Sequence, residues 1–365
     1  MADRRTEAAT LEALGWNERF AAGFAALGSA RLVPARVAVE HRAKYEVLSE
    51  QGEALASVSG RLRHESRGRL DLPAVGDWVA VSLRGDGPGT IEAVLPRTSV
   101  FTRKAAGRER ADQIVAANVD VVFVVTSLNA ELSARRLERY LTLAWESGAA
   151  PVVVLSKADR ALDRADMVRA AETAAAGVPV IVTSAKTGLG VDALLELLKP
   201  HRTGALLGSS GVGKSTLINR ILGFERQATG EVREGDDKGR HTTTRRELVL
   251  LPGGGILIDT PGMRELQIAE AGHGLLSAFD DIETLAKSCA FGDCTHGPEP
   301  DCAVKAAAQA GTLDAARLAG FHKLVRELKT RASWEDKRAA SEAREKVKVA
   351  DRALQKRLRE KRGQG

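Results

Sequence analysis

Aromatic residues are scarce in this 365-residue chain, at 4%, and there are only 3 cysteines. So few aromatics leave little for stacking successive bases along a single strand. All 3 cysteines fall between Cys289 and Cys302. An odd, clustered set argues against a secreted disulfide framework and for metal binding in a reducing compartment. Long apolar runs are missing too. The longest, Val119–Val125, is broken by Asp120 and is far too short for a bilayer. Met1–Thr10 carries Asp3, Arg4, Arg5 and Glu7 with no apolar stretch behind them, unlike a secretory signal. The expectation is a cytoplasmic, monomeric protein with no membrane partner.

What is present fits packed cores. Hydrophobic residues make up 44%, and the length suits two or three domains of ~100–200 residues. The net charge of +6 permits a nucleic-acid partner without establishing one.

Residues 1–32 read as an N-terminal extension of helical character, with Glu12, Trp16, Arg19 and Phe20 on a mixed face. From 33 to 104 short segments alternate as strands do: Ala35–Glu40, Lys44–Leu48, Ala54–Ser59, Val75–Val81 and Gly89–Leu95. That predicts a small all-β barrel of the oligonucleotide-binding (OB-fold) type; a sandwich or SH3-like barrel fits the same pattern. From 105 to 280 the texture changes. Val119–Thr126, Val152–Leu155, Val178–Val182, Gly204–Leu207, Leu248–Leu251 and Gly255–Ile258 are nearly uninterrupted Val/Ile/Leu runs separated by helical patterns. Such strands belong to a parallel α/β sheet covered on both faces. Residues 281–365 hold a Cys/His cluster and a charged, helix-like stretch from Leu313 to Arg362. That stretch reads either as a solvated helix with i,i+4 charge pairs or as an arm that lies on nucleic acid.

Within the α/β region, Gly208-Ser209-Ser210-Gly211-Val212-Gly213-Lys214-Ser215 follows a strand and opens a helix that continues with Thr216. This is the context a phosphate loop requires. The glycines let backbone N–H groups turn inward, and the helix N-terminus adds partial positive charge. Lys214 is expected to reach the β- and γ-phosphates and Ser215 to bind Mg²⁺. Asp259-Thr260-Pro261-Gly262 follows the last buried strand; its carboxylate suits Mg²⁺ and its Gly262 N–H the γ-phosphate. Between them, Phe224–Arg246 has the length and polarity of a switch loop, with Thr243 or Thr244 the expected cap on the metal.

The base is read upstream. In Ser156-Lys157-Ala158-Asp159 the carboxylate can accept from guanine N1–H and N2–H₂, whereas adenine would leave Asp159 unpaired. The Lys157 stem can cover the base plane, and in Thr183-Ser184-Ala185-Lys186 the Ala185 N–H can meet guanine O6. Ser156 stands where Asn or Thr is usual and can make fewer bonds to the phosphate loop, so somewhat weaker or less rigid nucleotide binding, with specificity kept, is expected. A P-loop ATPase or kinase is disfavoured by Asp159. The order is reversed from that of an ordinary GTPase, in which the phosphate loop comes first.

This permuted order, the preceding barrel, Gly239-Arg240-His241-Thr242-Thr243-Thr244 and the Cys/His cluster together resemble the ribosome small-subunit-dependent, circularly permuted GTPases (RsgA/YjeQ type), over nearly the whole length. The resemblance implies an OB-fold barrel, a permuted P-loop GTPase domain and a C-terminal α-helical zinc-binding domain. It also implies late maturation of the small ribosomal subunit, with GTP hydrolysis stimulated by the subunit and driving release. A non-catalytic, guanine-nucleotide-sensing rRNA-binding protein is the alternative.

Cys289, Cys294, His296 and Cys302 offer three thiolates and one imidazole, a full tetrahedral set for one structural Zn²⁺. Met263 stands where many GTPases carry a water-orienting Gln, so intrinsic turnover should be slow; His241 is the candidate replacement. Arg61, Arg63, Arg67 and Arg69 form a basic cluster that either contacts rRNA or is a solvated loop. Permutation also puts both switch segments just before the Cys/His module, so RNA contact by the C-terminal part should depend on GTP against GDP.

Overall fold

A computed structural model describes residues 9–326, apart from 42–43, 67, 84–86, 105–111, 129–131, 162–163, 176, 224–245, 260–278, 298, 316 and 323–324. The chain divides into two compact units, Met1–Thr284 and Leu285–Gly365.

Five strands open the first unit: β1 (Val33–Glu40), β2 (Tyr45–Ser49), β3 (Gly52–Val58), β4 (Trp78–Ser82) and β5 (Gly89–Val94). They pair in the order β1-β2-β3-β5-β4, and β4 returns to β1, so the sheet closes on itself. Every pairing is antiparallel except β3 with β5. The expected five-stranded barrel is therefore present. Alternation explains it: in β2, Tyr45, Val47 and Ser49 are buried while Glu46 and Leu48 are less so. Val37, Val47, Ala56, Val79, Val81 and Ile91 fill the interior. Helix α1 (Glu18–Ala25), capped by the Asn17 side chain, lies outside and brings Trp16 and Phe20 onto the buried Trp78 ring, at centroid distances of 4.6 and 5.8 Å.

After the barrel come β6 (Val100–Lys104) and β7 (Asp112–Ala117), an antiparallel pair that the sequence reading did not anticipate. Its apolar positions, Val100, Phe101 and Ile114–Ala117, are split by a polar stretch that masks the strand pattern.

The second part of this unit is the α/β sheet: β8 (Val121–Ser127), β9 (Ala150–Ser156), β10 (Val180–Val182), β11 (Thr203–Leu207), β12 (Glu247–Leu250) and β13 (Ile256–Asp259). The spatial order is β10-β9-β8-β11-β13-β12, with all neighbours parallel except β12 and β13. Helix α2 (Gly60–Glu65) follows β3 of the barrel, and α4 (Arg164–Ala174) and α5 (Val191–Glu196) lie between strands of this sheet in the chain. Helix α3 (Ala134–Ser147) begins at the Ser133 side chain and stops at Gly148, whose φ of 88° few other residues tolerate. From β8 the chain steps outward through β9 and β10; from β11 it moves the other way. The order thus reverses between β8 and β11. In open α/β sheets a ligand crevice lies there, outside the carboxyl ends of the strands.

One register pair, Val39 with Glu247, joins β1 of the barrel to β12. A stronger connection is Arg36 on β1, which is 1% exposed. Its guanidinium donates to the carbonyls of Leu14, Gly76 and Asn118 and to Thr203 Oγ1, and sits 5.6 Å from the Trp78 ring centroid. Replacing Arg36 by Met keeps much of the volume but orphans these acceptors. We expect Arg36→Met to destabilise the first unit by about 3–5 kcal/mol, seen as a lower urea midpoint at unchanged slope. A loss below about 1 kcal/mol would show that Arg36 is not a keystone.

Candidate nucleotide and metal sites

The loop Gly208–Ser215 leaves the carboxyl end of β11 and enters helix α6 (Lys214–Leu222), at the point where strand order reverses. Its path depends on glycine. Gly208 has φ of 153°, and a Cβ there would lie 2.2 Å from the Val125 carbonyl oxygen. Gly211 and Gly213 are left-handed, at 77° and 94°. Lys214 Nζ donates to the carbonyls of Gly208 at 2.7 Å and Ser209 at 2.6 Å, which holds the ammonium across the loop. Half-buried Ser215 and exposed Thr216 stand in the first turn of α6.

The base-reading turn starts at the end of β9. Ser156 Oγ is 2.5 Å from the Val212 carbonyl and 3.2 Å from that of Thr126; its single proton serves the shorter contact. Lys157, left-handed at φ 59°, donates from Nζ to the Gly211 carbonyl at 2.6 Å. Two adjacent residues thus bond two adjacent carbonyls of the phosphate loop.

Buried Ala158 donates its N–H to the Thr183 carbonyl at 3.1 Å, tying this turn to the segment after β10. There the buried Ser184 donates its hydroxyl to exposed Asp159 Oδ1 at 2.6 Å. That hydrogen bond holds the Asp159 carboxyl below its usual range, assisted by the charges of Lys186 and Arg160. Ser184 Oγ also accepts from Thr187 N–H at 3.2 Å. Half-buried Ala185 follows directly, beside the exposed Lys186.

Sequence reasoning missed Tyr140. Its hydroxyl, projecting from α3, lies 3.1 Å from Ser209 Oγ in the phosphate loop. A tyrosine on an amphipathic helix carries no local signal of such a contact. Asp259 ends β13, half-buried and in register with Glu247. The remaining candidates, His241, Thr242, Thr243, Thr244, Gly262 and Met263, lie outside the described residues. Arg61, Arg63 and Arg69 are exposed, with Arg61 3.8 Å from Glu65; Arg67 is outside the described residues.

In the second unit the ligand atoms of Cys289, Cys294, His296 and Cys302 all lie within 4.8 Å of one another. Cys289 Sγ is 3.8 Å from Cys302 Sγ, and His296 Nδ1 is 3.6 Å from Cys289 Sγ and 3.5 Å from Cys302 Sγ. A tetrahedral ion with metal–sulfur bonds of about 2.3 Å sets sulfurs about 3.8 Å apart and sulfur and nitrogen about 3.5 Å apart. The four residues therefore fit one metal ion. Cys302 also caps the helix Ala303–Gln309, its sulfur accepting from Lys305 N–H.

Ser184→Ala removes the proton that holds Asp159 and leaves the Thr187 N–H unpaired. GDP affinity should fall about 3- to 10-fold by calorimetry, with the GTP preference retained. Asp159→Asn should instead erode discrimination against ATP by several kcal/mol in competition binding. Because the Asp159 carboxyl titrates below its usual range, it stays ionised at neutral pH. Guanine affinity should then be flat through neutral pH and decline only as pH falls through that depressed value. A decline centred above the ordinary carboxylate range would exclude Asp159 as the reader.

A family model described as RsgA GTPase matches residues 94–269. One described as ABC transporter matches residues 195–361, which contain the phosphate loop but not the base-reading turn. The small ribosomal subunit biogenesis GTPase RsgA of Opitutus terrae is 49% identical over 332 residues, covering 87% of this chain and 89% of its own. That of Syntrophotalea carbinolica is 41% identical over 363 residues, covering 97% and 99%. Among solved structures, YjeQ from Thermotoga maritima has a TM-score of 0.63 at 29% identity, covering 81% of this chain and 98% of that one. YloQ, a circularly permuted GTPase, has 0.60 at 25%, covering 83% and 96%. Sequence identity at this level, sustained over nearly the whole length and accompanied by the same permuted fold, places the chain in the RsgA family: it is a circularly permuted GTPase.

Proposed function

We propose that this GTPase binds the small ribosomal subunit in the cytoplasm, acts in its late maturation, and hydrolyses GTP in response to the subunit so as to leave it. The observation that supports the nucleotide part is a pair of hydrogen bonds between two loops, Ser156 to Val212 and Lys157 to Gly211. In this reading the pair joins a guanine-reading turn to a phosphate-reading loop despite their reversed order in the chain. The partner comes from the relatives, named for small ribosomal subunit biogenesis.

In this reading Asp159 and the Ala185 N–H hold the guanine, with the Lys157 stem over it. The N–H groups of Gly208–Gly213 and the amino end of α6 surround the phosphates, and Lys214 spans the β- and γ-groups. Ser215 and Asp259 would hold Mg²⁺, with Thr243 or Thr244 as a further ligand, and the ion would neutralise charge developing on the phosphates. The Met263 side chain lacks the amide that would orient water, so His241 supplies that function when the subunit is bound. Residues 33–104, through Arg61, Arg63, Arg67 and Arg69, contact rRNA together with the charged tail. Cys289, Cys294, His296 and Cys302 hold a structural Zn²⁺, because three thiolates and an imidazole leave no open position.

A phosphate-release assay tests the whole reading. GTP turnover should rise about tenfold or more with small subunits, ATP should not be hydrolysed, and His241→Ala should lose the stimulation at unchanged GDP affinity. Turnover that ignores the subunit would sink it, and normal stimulation of His241→Ala would remove His241 from the chemistry. Chelation at neutral pH should unfold residues 285–326 first by hydrogen exchange, leaving GDP binding in the first unit intact. Protection in 285–326 that survives chelation would rule out a structural metal.

A further inference from the structure

Arg246 and Glu40 form an ion pair between segments 206 positions apart in the sequence. Arg246 Nη1 stands 3.1 Å from Glu40 Oε2 on β1 and donates to the Ile114 carbonyl of β7 at 2.9 Å. One side chain thus touches the barrel and the hairpin while its own backbone leads into β12. The two side chains are 11% and 27% exposed. They line a cavity of about 430 Å³ together with Tyr45, Arg69 and Gln113. Burial pushes the Glu40 carboxyl up and the Arg246 guanidinium down, each opposed by the partner's charge. A half-buried pair of this kind adds little net stability over an apolar contact of similar volume. What it can supply is a fixed register.

Register matters at this point. Glu247, the next residue, pairs with Val39 of β1 on one side and with Asp259 of β13 on the other. Among the described residues, backbone pairing between β1 and β12 is the single position Val39–Glu247. The ion pair and the Ile114 bond secure the same junction from the adjacent residue.

We propose that Arg246 is a positioning residue for GTP hydrolysis. Held by Glu40 and the Ile114 carbonyl, it fixes β12 between β1 and β13 and so sets where Asp259 presents its carboxylate to the nucleotide's Mg²⁺. The inference rests on the reading of Asp259 as a magnesium ligand.

The test is a Mg²⁺ titration of GTP turnover on the full-length protein, with GDP affinity measured separately in EDTA. Asp259→Asn must raise the Mg²⁺ concentration for half-maximal rate; if it does not, the reading of Asp259 fails and takes this proposal with it. Given that shift, Arg246→Gln and Glu40→Gln should each raise the Mg²⁺ requirement about tenfold, the lower end of what outer partners of a metal site cost. GDP affinity in EDTA should be unchanged, and Arg246→Lys should recover part of the loss. The double variant Glu40→Gln/Arg246→Gln should be no worse than the poorer single one, since the pair acts as a unit. An Asp259→Asn shift with no shift in either single variant overturns the proposal. So does a Mg²⁺ effect matched by equal loss of GDP affinity in EDTA, which marks general damage. Should Arg246→Gln not fold, Glu40→Gln and Arg246→Lys, which preserve shape or charge, decide on the same readouts.

Discussion

The buried guanidinium of Arg36 is the constraint on which the first unit depends. It gathers acceptors from four separate stretches: the N-terminal segment at Leu14, the barrel turn at Gly76, the entry to β8 at Asn118 and the start of β11 at Thr203. Burial lowers its pKa to about 10, so it remains a cation at neutral pH, helped by the charges of Asp120 and Asp77. Asp120 completes the junction, its carboxylate accepting from the Thr203 N–H at 2.7 Å. A cation enclosed this completely is tolerable only if every neighbouring element stays in place. The barrel, the N-terminal helix and the α/β sheet are therefore one mechanical body at the amino ends of β8 and β11.

The nucleotide crevice lies at the opposite ends of the same two strands. Only Thr203–Leu207 separates the Arg36 junction from Gly208. All five residues of that strand are buried, and it is flanked in parallel by β8 and β13. A short, dry, fully paired strand transmits position rather than absorbing it. The barrel and the phosphate loop are thus joined through a stiff connection. The Arg246 junction is a second link, at the edge of the sheet, ending on Asp259.

The parts legible in the sequence were those in which chemistry dictates residue type. Gly208 and Gly213 announce a backbone that few side chains can follow. Cys289, Cys294, His296 and Cys302 announce a convergence of ligand atoms, and the fold brings them within 4.8 Å of one another. Barrel and sheet were readable because their strands obey two different rules, alternation in Tyr45–Ser49 and unbroken burial in Val121–Val125. What could not be read was contact between distant segments. Arg36 sits in Ala-Arg-Val-Ala-Val-Glu, where a lone arginine looks like a solvated strand face; only the return of Thr203 and Trp78 encloses it. Tyr140 and Arg246 are hidden for the same reason, since their partners are Ser209 on the one hand and Glu40 and Ile114 on the other. The β6–β7 hairpin was missed because its apolar residues are too few and too divided to set a period.

The serine at position 156 shows how such distant contacts change the meaning of a local departure. Alone, a serine hydroxyl has one proton and a shorter reach than an asparagine amide, so a slack base-reading turn follows. The structure adds Lys157, whose left-handed backbone turns its ammonium back onto Gly211 while Ser156 bonds Val212. A charge-assisted bond is worth about 1.5–3 kcal/mol when shielded and less where water competes. The contact also has direction. Both donors belong to the base-reading turn and both acceptors to the phosphate loop, so any shift of one loop strains two bonds in the other. Permutation separates the loops' order along the chain without separating the loops. Asp159 stands two residues from this clamp, so its position is tied to that of the phosphate loop.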